Sequence, residues 1–309
     1  MRIGLRAAVG VLVIVLLLVR ADARALSDSL SQVRPGSVML ALVVLLAGLV
    51  VNAFRWQLYL RPIGLALSVS ELIRLTFVGT FFNAFLPTGF GGDAYKSFRL
   101  RGEAGSMAPP LATVFLDRLA GLVGLALLAF AGSAVRFADG DHGRVTLAAA
   151  ILSLGVLAAW GLALWLSPRW MEEAETSSRA ASKLRAFAQA FATSGREPRA
   201  VLWGTVVGVA SALLLVIVFA LLAASLGISV PGAALPGIVL ITSLMTIVPL
   251  SINGLGFREA ATVWCLAALG IGQEEALAFS LLVLAVTLAS SVVGGLVYVV
   301  GRAPVAGRR

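Results

Sequence analysis

The chain has 309 residues, of which 60% are hydrophobic and 13% charged, and it carries a formal net charge of +9. Its apolar residues fall in runs that reach the length of about 18–20 residues needed to span a bilayer as helices, which excludes a soluble globular fold. The positive charge comes from 22 Arg and two Lys gathered at the ends of those runs, where it meets lipid headgroups and fixes orientation rather than marking a nucleic-acid interface.

In chain order, the hydropathy pattern predicts apolar spans at 3–19, 38–54, 71–86, 110–135, 145–166, 201–226, 234–250 and 275–300, with a shorter segment at 257–270. The first imitates a secretory signal, because Arg2 and Arg6 precede Ala7 to Val19 and the small-residue triplet Ala21-Asp22-Ala23 follows. Retention of this span is expected, since the topology requires it. The third and seventh spans run into Pro87 and Pro249 and then into glycine-rich polar sequence, so neither continues as a regular helix. The single histidine, His142, falls in an Asp-Gly-Asp-His-Gly loop, and the single cysteine, Cys265, in an apolar segment. With neither a second His nor a second Cys, no metal, other cofactor or disulfide framework is expected.

Basic residues in the connections argue for a particular topology. If segments 71–100 and 234–272 each enter the membrane and return to the side they came from, 17 of the 24 Lys and Arg fall on one side, with both termini. The positive-inside rule makes that side the cytoplasm of a bacterial-type cytoplasmic membrane. The expected fold is an all-α polytopic membrane protein forming a single domain over 1–309, with about six full spans and two re-entrant hairpins. Residues 1–136 and 145–309 then repeat one plan in opposite orientations, an inverted-topology repeat of the kind that alternating-access carriers use. The 168–200 connection has Leu184, Phe187 and Phe191 at helical spacing beside Lys183 and Arg185. It is expected to be a cytoplasmic amphipathic helix on the membrane surface, with partner binding left open.

Candidate substrate-binding residues cluster at the two breaks. The first offers Asn83, Pro87, Gly89, Gly91, Gly92, Asp93 and Lys96, and the second Pro249, Ser251, Asn253, Gly254, Gly256, Arg258 and Glu259. Closely spaced glycines let backbone approach a ligand, and a helix starting just after them turns its positive end toward an anion. Tight turning and close helix packing would explain the same glycines without a ligand. Asp117 and Arg118 lie within the 110–135 span. Ionisable groups at such depth cost about 2.5–3.5 kcal/mol each on insertion scales, so they pair with one another or line a polar path. Arg118 and Arg258 would contact a phosphate, and Asp93, Asp117 and Glu259 are proton-coupling candidates. Asn52, Arg55 and Trp56 end the second span, where an interfacial anchor or a headgroup contact is expected.

The run Asn83 to Lys96, the Asp117-Arg118-Leu119-Ala120-Gly121-Leu122 stretch and the segment Pro249 to Glu259 resemble the lysylphosphatidylglycerol synthase transmembrane-region family of flippase-like proteins. The resemblance implies a relative of the domain that moves an aminoacylated lipid to the outer leaflet. In the bifunctional synthases, aminoacyl transfer belongs to an additional soluble domain, and this chain reaches Arg309 directly after its last span. The expected activity is therefore lipid translocation, not synthesis. Its partner would be a membrane lipid substrate and no nucleic acid, with a homo-oligomer and a separate lipid-modifying enzyme left open. The competing readings are a membrane-embedded transferase with Asp93 or Glu259 as general base, and a noncatalytic cell-envelope assembly factor.

Overall fold

A computed structural model describes residues 2–86, 90–166, 179–247 and 251–301. Among the described residues it is helical throughout, without strands. The helices are α1 (Arg2–Arg20), α2 (Ala23–Ser31), α3 (Pro35–Leu60), α4 (Val69–Phe85), α5 (Gly91–Leu100), α6 (Ala108–Ala138) and α7 (Arg144–Leu166). They continue with α8 (Arg179–Arg196), α9 (Pro198–Ser225), α10 (Leu235–Ile247), α11 (Phe257–Ala267) and α12 (Gln273–Val300). Five of them, α3, α6, α7, α9 and α12, are long and apolar enough to cross a membrane, and α1 and α10 contain shorter apolar stretches.

Local sequence accounts for the helix ends. Proline occupies the first turn of α3, α6 and α9, where its missing N–H leaves no hydrogen bond unmade. Ser68 caps α4 by accepting from the Glu71 amide. Leu86, which precedes Pro87 in the sequence, is extended at φ −86° and ψ 138°, and α4 stops there. The triplet that resembled a cleavage site has a structural use, because Asp22 accepts from the amides of Arg24 and Ala25 and starts α2.

Small residues then set how closely the helices pack. α6 and α9 meet backbone to backbone at Gly124 and Gly208, and Gly204 one turn earlier makes room for the Tyr59 ring of α3. α5 folds back antiparallel on α4, with Gly92 against the Gly79 carbonyl, the Tyr95 ring tilted against Phe82 at 4.8 Å and Lys96 lying over Gly79. Asn83 ties this hairpin by accepting from the Gly92 amide at 2.8 Å. α12 covers α4 where Gly294 meets the Phe77 carbonyl and Gly295 the Phe81 ring. The largest apolar core lies among α6, α9, α10 and α12, around Leu222, Phe219, Ile238, Leu240 and Phe279.

The described part of the 168–200 connection is helical as expected, but its apolar face does not lie free on a membrane surface. Phe191 is buried, Phe187 and Phe191 pack on Phe115 of α6, and the Ser194 hydroxyl donates to the Tyr59 carbonyl. Only Leu184 of the predicted apolar triplet stays exposed. The protein core captures this face because α6 and α3 leave an aromatic surface next to it.

A Cβ at position 92 would overlap the backbone of Gly79, whereas one at position 36 would meet nothing. Gly92→Ala should therefore destabilise the detergent-purified protein by about 1–3 kcal/mol, the usual range for overpacking. Gly36→Ala should leave the melting temperature within error, and thermal unfolding followed by tryptophan fluorescence checks both.

Candidate functional site

Five charged side chains converge where α3, α5 and α6 meet. Arg55 of α3 is buried and donates through Nε to Asp117 of α6 at 2.7 Å, while its Nη1 reaches the Ser211 hydroxyl of α9 at 2.8 Å. Arg118, the next residue on α6, pairs through Nε with Asp93 of α5 at 2.7 Å. Its guanidinium carbon lies 4.9 Å from the Phe90 ring centroid. Lys96, one turn beyond Asp93, is buried with its Nζ 4.8 Å from the centre of the Trp56 ring. Trp56 is fixed in turn, donating from Nε1 to Thr113 at 3.1 Å. Two guanidinium–carboxylate pairs thus sit side by side, with the Lys96 amine next to them, in a setting where unpaired charge is strongly disfavoured.

This cluster closes one end of a cavity of about 370 Å³ between α3, α6, α9 and α10. Asn52, Arg55, Arg118 and Ser211 form its polar end, and Val44, Leu45, Leu122, Leu125 and Leu214 line the rest. A second cavity of about 120 Å³ adjoins it, sharing Leu45, Leu215, Ser243 and Thr246, and Arg258 lines this continuation. Gly121 allows the cluster to reach the cavity, because a Cβ there would lie 2.9 Å from Arg55 Nη1.

The predicted residues separate into groups. Asp93, Lys96, Asp117 and Arg118 are brought together in the cluster, and Arg258 stands on the same cavity system. Asn83, Gly91 and Gly92 build the α4–α5 hairpin: a Cβ at Gly91 would strike Leu86 and Phe82, as one at Gly92 would strike Gly79. Gly254 and Gly256 have φ of 73° and 84°, which a left-handed turn demands and glycine supplies, and Asn253 joins them at φ 50°. Glu259 folds back on the start of α11, accepting from the Gly256 amide at 2.6 Å and from Arg258 at 2.7 Å. The N-terminus of α11 is therefore occupied by its own chain. Ser251 is buried beside Gly10 of α1, and its hydroxyl has no partner among the described residues. Pro87, Gly89 and Pro249 lie outside the described residues.

Arg55, for which the sequence predicts an interfacial anchor or a headgroup contact, is buried inside the helical bundle, and so is Lys96. Position at the end of an apolar span looks the same for an interfacial anchor and for an inward-facing ion pair, and only the helical phase shared by Asn52 and Arg55 hinted at the second. Asp117 pairs with Arg55, 62 positions away, and not with a neighbour of Arg118. His142 is exposed, with Nδ1 2.9 Å from the Gly140 carbonyl.

Removing one partner of a buried ion pair strands the other, typically at about 3–5 kcal/mol. Arg55→Ala and Arg118→Ala should therefore both destabilise the protein, because the carboxylates they strand, Asp117 and Asp93, have side chains only 10% and 8% exposed. Melting temperatures of the two variants in detergent check this, and replacing Asp117 by Asn in the Arg55→Ala background should recover part of the loss.

The profile of one protein family, described as Lysylphosphatidylglycerol synthase TM region, matches residues 4–295. No curated protein matches the chain. Since that match takes in both helical hairpins, the charged cluster and the cavity, the chain belongs to the lysylphosphatidylglycerol synthase TM-region family of multi-pass membrane proteins, whose setting is lipid chemistry.

Proposed function

We propose that this protein translocates a phospholipid, or another lipid with an anionic headgroup, across the cytoplasmic membrane. The observation that carries this reading is the amphipathic cavity, with the Arg55 and Arg118 guanidiniums at one end and largely aliphatic walls along the remainder. From Arg55 to Val44 it follows α3 for about 16 Å at 1.5 Å per residue, half the thickness of a bilayer core. At about 370 Å³ it accommodates a headgroup and leaves two acyl chains in the bilayer or in a lateral groove. Arg118 and Arg258 would take the phosphate in turn as it passes from one cavity to the next, each arginine being kept from permanent closure by a single carboxylate partner.

Alternating access would come from an inverted repeat of α1 to α6 against α7 to α12, with the hairpins α4–α5 and α10–α11 re-entrant and both termini cytoplasmic. Helix packing supports this reading. α3 and α9 pack on each other, α6 packs on α10 of the opposite half, and α12 packs on α4. Each hairpin is thereby braced by the last long helix of the other half. α1 departs from the pattern by packing on the second break, where Gly10 meets Leu255 and Gly256.

Two measurements test these proposals. In proteoliposomes, wild-type protein should exchange fluorescent anionic phospholipids between leaflets, and an Arg118→Gln/Arg258→Gln variant should lose at least about tenfold in rate, the effect of losing one charged hydrogen bond or more. Exchange by the folded variant at the wild-type rate would remove both arginines from the mechanism. For topology, Cys265 is replaced by Ala and single cysteines are set at the exposed positions Gly102, His142 and Gln273. An impermeant maleimide applied to intact cells should label 142 and 273 only. Labelling at 102 with protection of 273 would overturn the inverted repeat.

A further inference from the structure

Asn52 stands on the cavity wall one helical turn before Arg55, yet none of the cluster's pairings involves it. Its side-chain amide makes no hydrogen bond among the described residues, and its Oδ1 is a buried acceptor without a donor. Buried polar atoms are nearly always satisfied, so an orphan acceptor on a ligand-sized cavity marks a contact supplied from outside the chain. Across the cavity, the Ser243 hydroxyl of α10 is likewise without a hydrogen bond among the described residues, while its neighbour Thr246 is committed to the Ser243 carbonyl at 2.7 Å.

The cations nearby do not answer the same need. Arg55 and Arg118 offer only donors, which suit the oxygens of a phosphate. Asn52 Oδ1 asks for a donor instead. Residues three apart on a helix lie with their Cβ atoms about 5–6 Å from one another, so a group held by Arg55 sets a neighbouring part of the same ligand beside Asn52.

We propose that Asn52 is a specificity-determining residue that accepts a hydrogen bond from the lipid headgroup, so that the cavity takes a phosphodiester whose headgroup carries an N–H or O–H donor over one that carries none. The inference rests on the phosphate-binding role of the cavity in the translocator reading, and it adds the headgroup chemistry that the cavity selects. Ser243 sits opposite as a second hydroxyl for a headgroup with more than one donor. Sites built around a hydrogen bond to a ligand N–H or O–H reject analogues lacking it, because the protein acceptor is then left buried and unpaired.

Phosphatidylethanolamine and phosphatidylcholine make the decisive pair of probes, since both are zwitterionic and only the first has N–H donors. Short-chain forms of each are titrated into the purified full-length protein in detergent, and binding is read from the shift in melting temperature. The ethanolamine lipid, and phosphatidylglycerol through its hydroxyls, should bind at least about tenfold more tightly than the choline lipid. Asn52→Leu should erase that gap by weakening the donor-bearing lipids and leaving the choline lipid unchanged. Equal binding of the two zwitterionic lipids by wild type would overturn the proposal, and so would a gap that survives Asn52→Leu or an equal loss for every lipid. If the leucine variant fails to fold, Asn52→Ala carries the same comparison. Because binding is measured apart from transport, selective binding without leaflet exchange would retain the role of Asn52 and retire the translocator. Exchange without selectivity would do the reverse.

Discussion

Charge buried among apolar helices has to be paired, and here the pairing forms a closed circuit. Arg55 of α3 holds Asp117 of α6, Arg118 of α6 holds Asp93 of α5, and Lys96 of α5 returns to Trp56 of α3. Ser211 attaches α9 to the same circuit through Arg55. Removing Arg55 or Arg118 would strand a buried carboxylate in a low-dielectric interior, where a lone charge is far more expensive than in water. That constraint fixes the relative placement of four helices, and it holds Arg55 and Arg118 at the wall of the cavity.

Close backbone approach makes the circuit reachable. An ion pair needs its atoms within about 4 Å, and bulky side chains between helices would hold them too far apart. Gly79 and Gly92 let α5 lie directly on α4, so that Asp93 and Lys96 reach α6 and α3. Gly121 leaves space for the Arg55 guanidinium, and Gly124 with Gly208 brings Ser211 alongside. The glycines act by setting helix separation, while Arg55 and Arg118 line the cavity.

The two breaks are held in different ways. Around the first, Asp93 and Lys96 are committed to residues on other helices. Around the second, Glu259 satisfies its own helix start and its adjacent arginine, and α1 seals the turn through Gly10.

Much of this protein was legible in its sequence. The long apolar runs, with basic residues at their ends and prolines at their breaks, dictated a polytopic helical fold, because a bilayer forces every backbone amide to be satisfied within its own helix. The cost of intramembrane charge drew attention to Asp117, Arg118, Arg258 and Glu259, and the glycine-rich first break to Asp93 and Lys96. What the sequence could not specify was which charge meets which. Arg55 and Asp117 are 62 positions apart, and nothing local distinguishes an arginine that turns inward from one that anchors at the interface. Nor could hydropathy say that the apolar face of α8 would be spent on Phe115 and the Tyr59 carbonyl instead of on lipid. Composition and period determine which elements form, since those depend on residues within a few turns of one another. Partnerships among the elements were decided only by tertiary packing, where helix separation and rotation bring distant side chains within bonding distance.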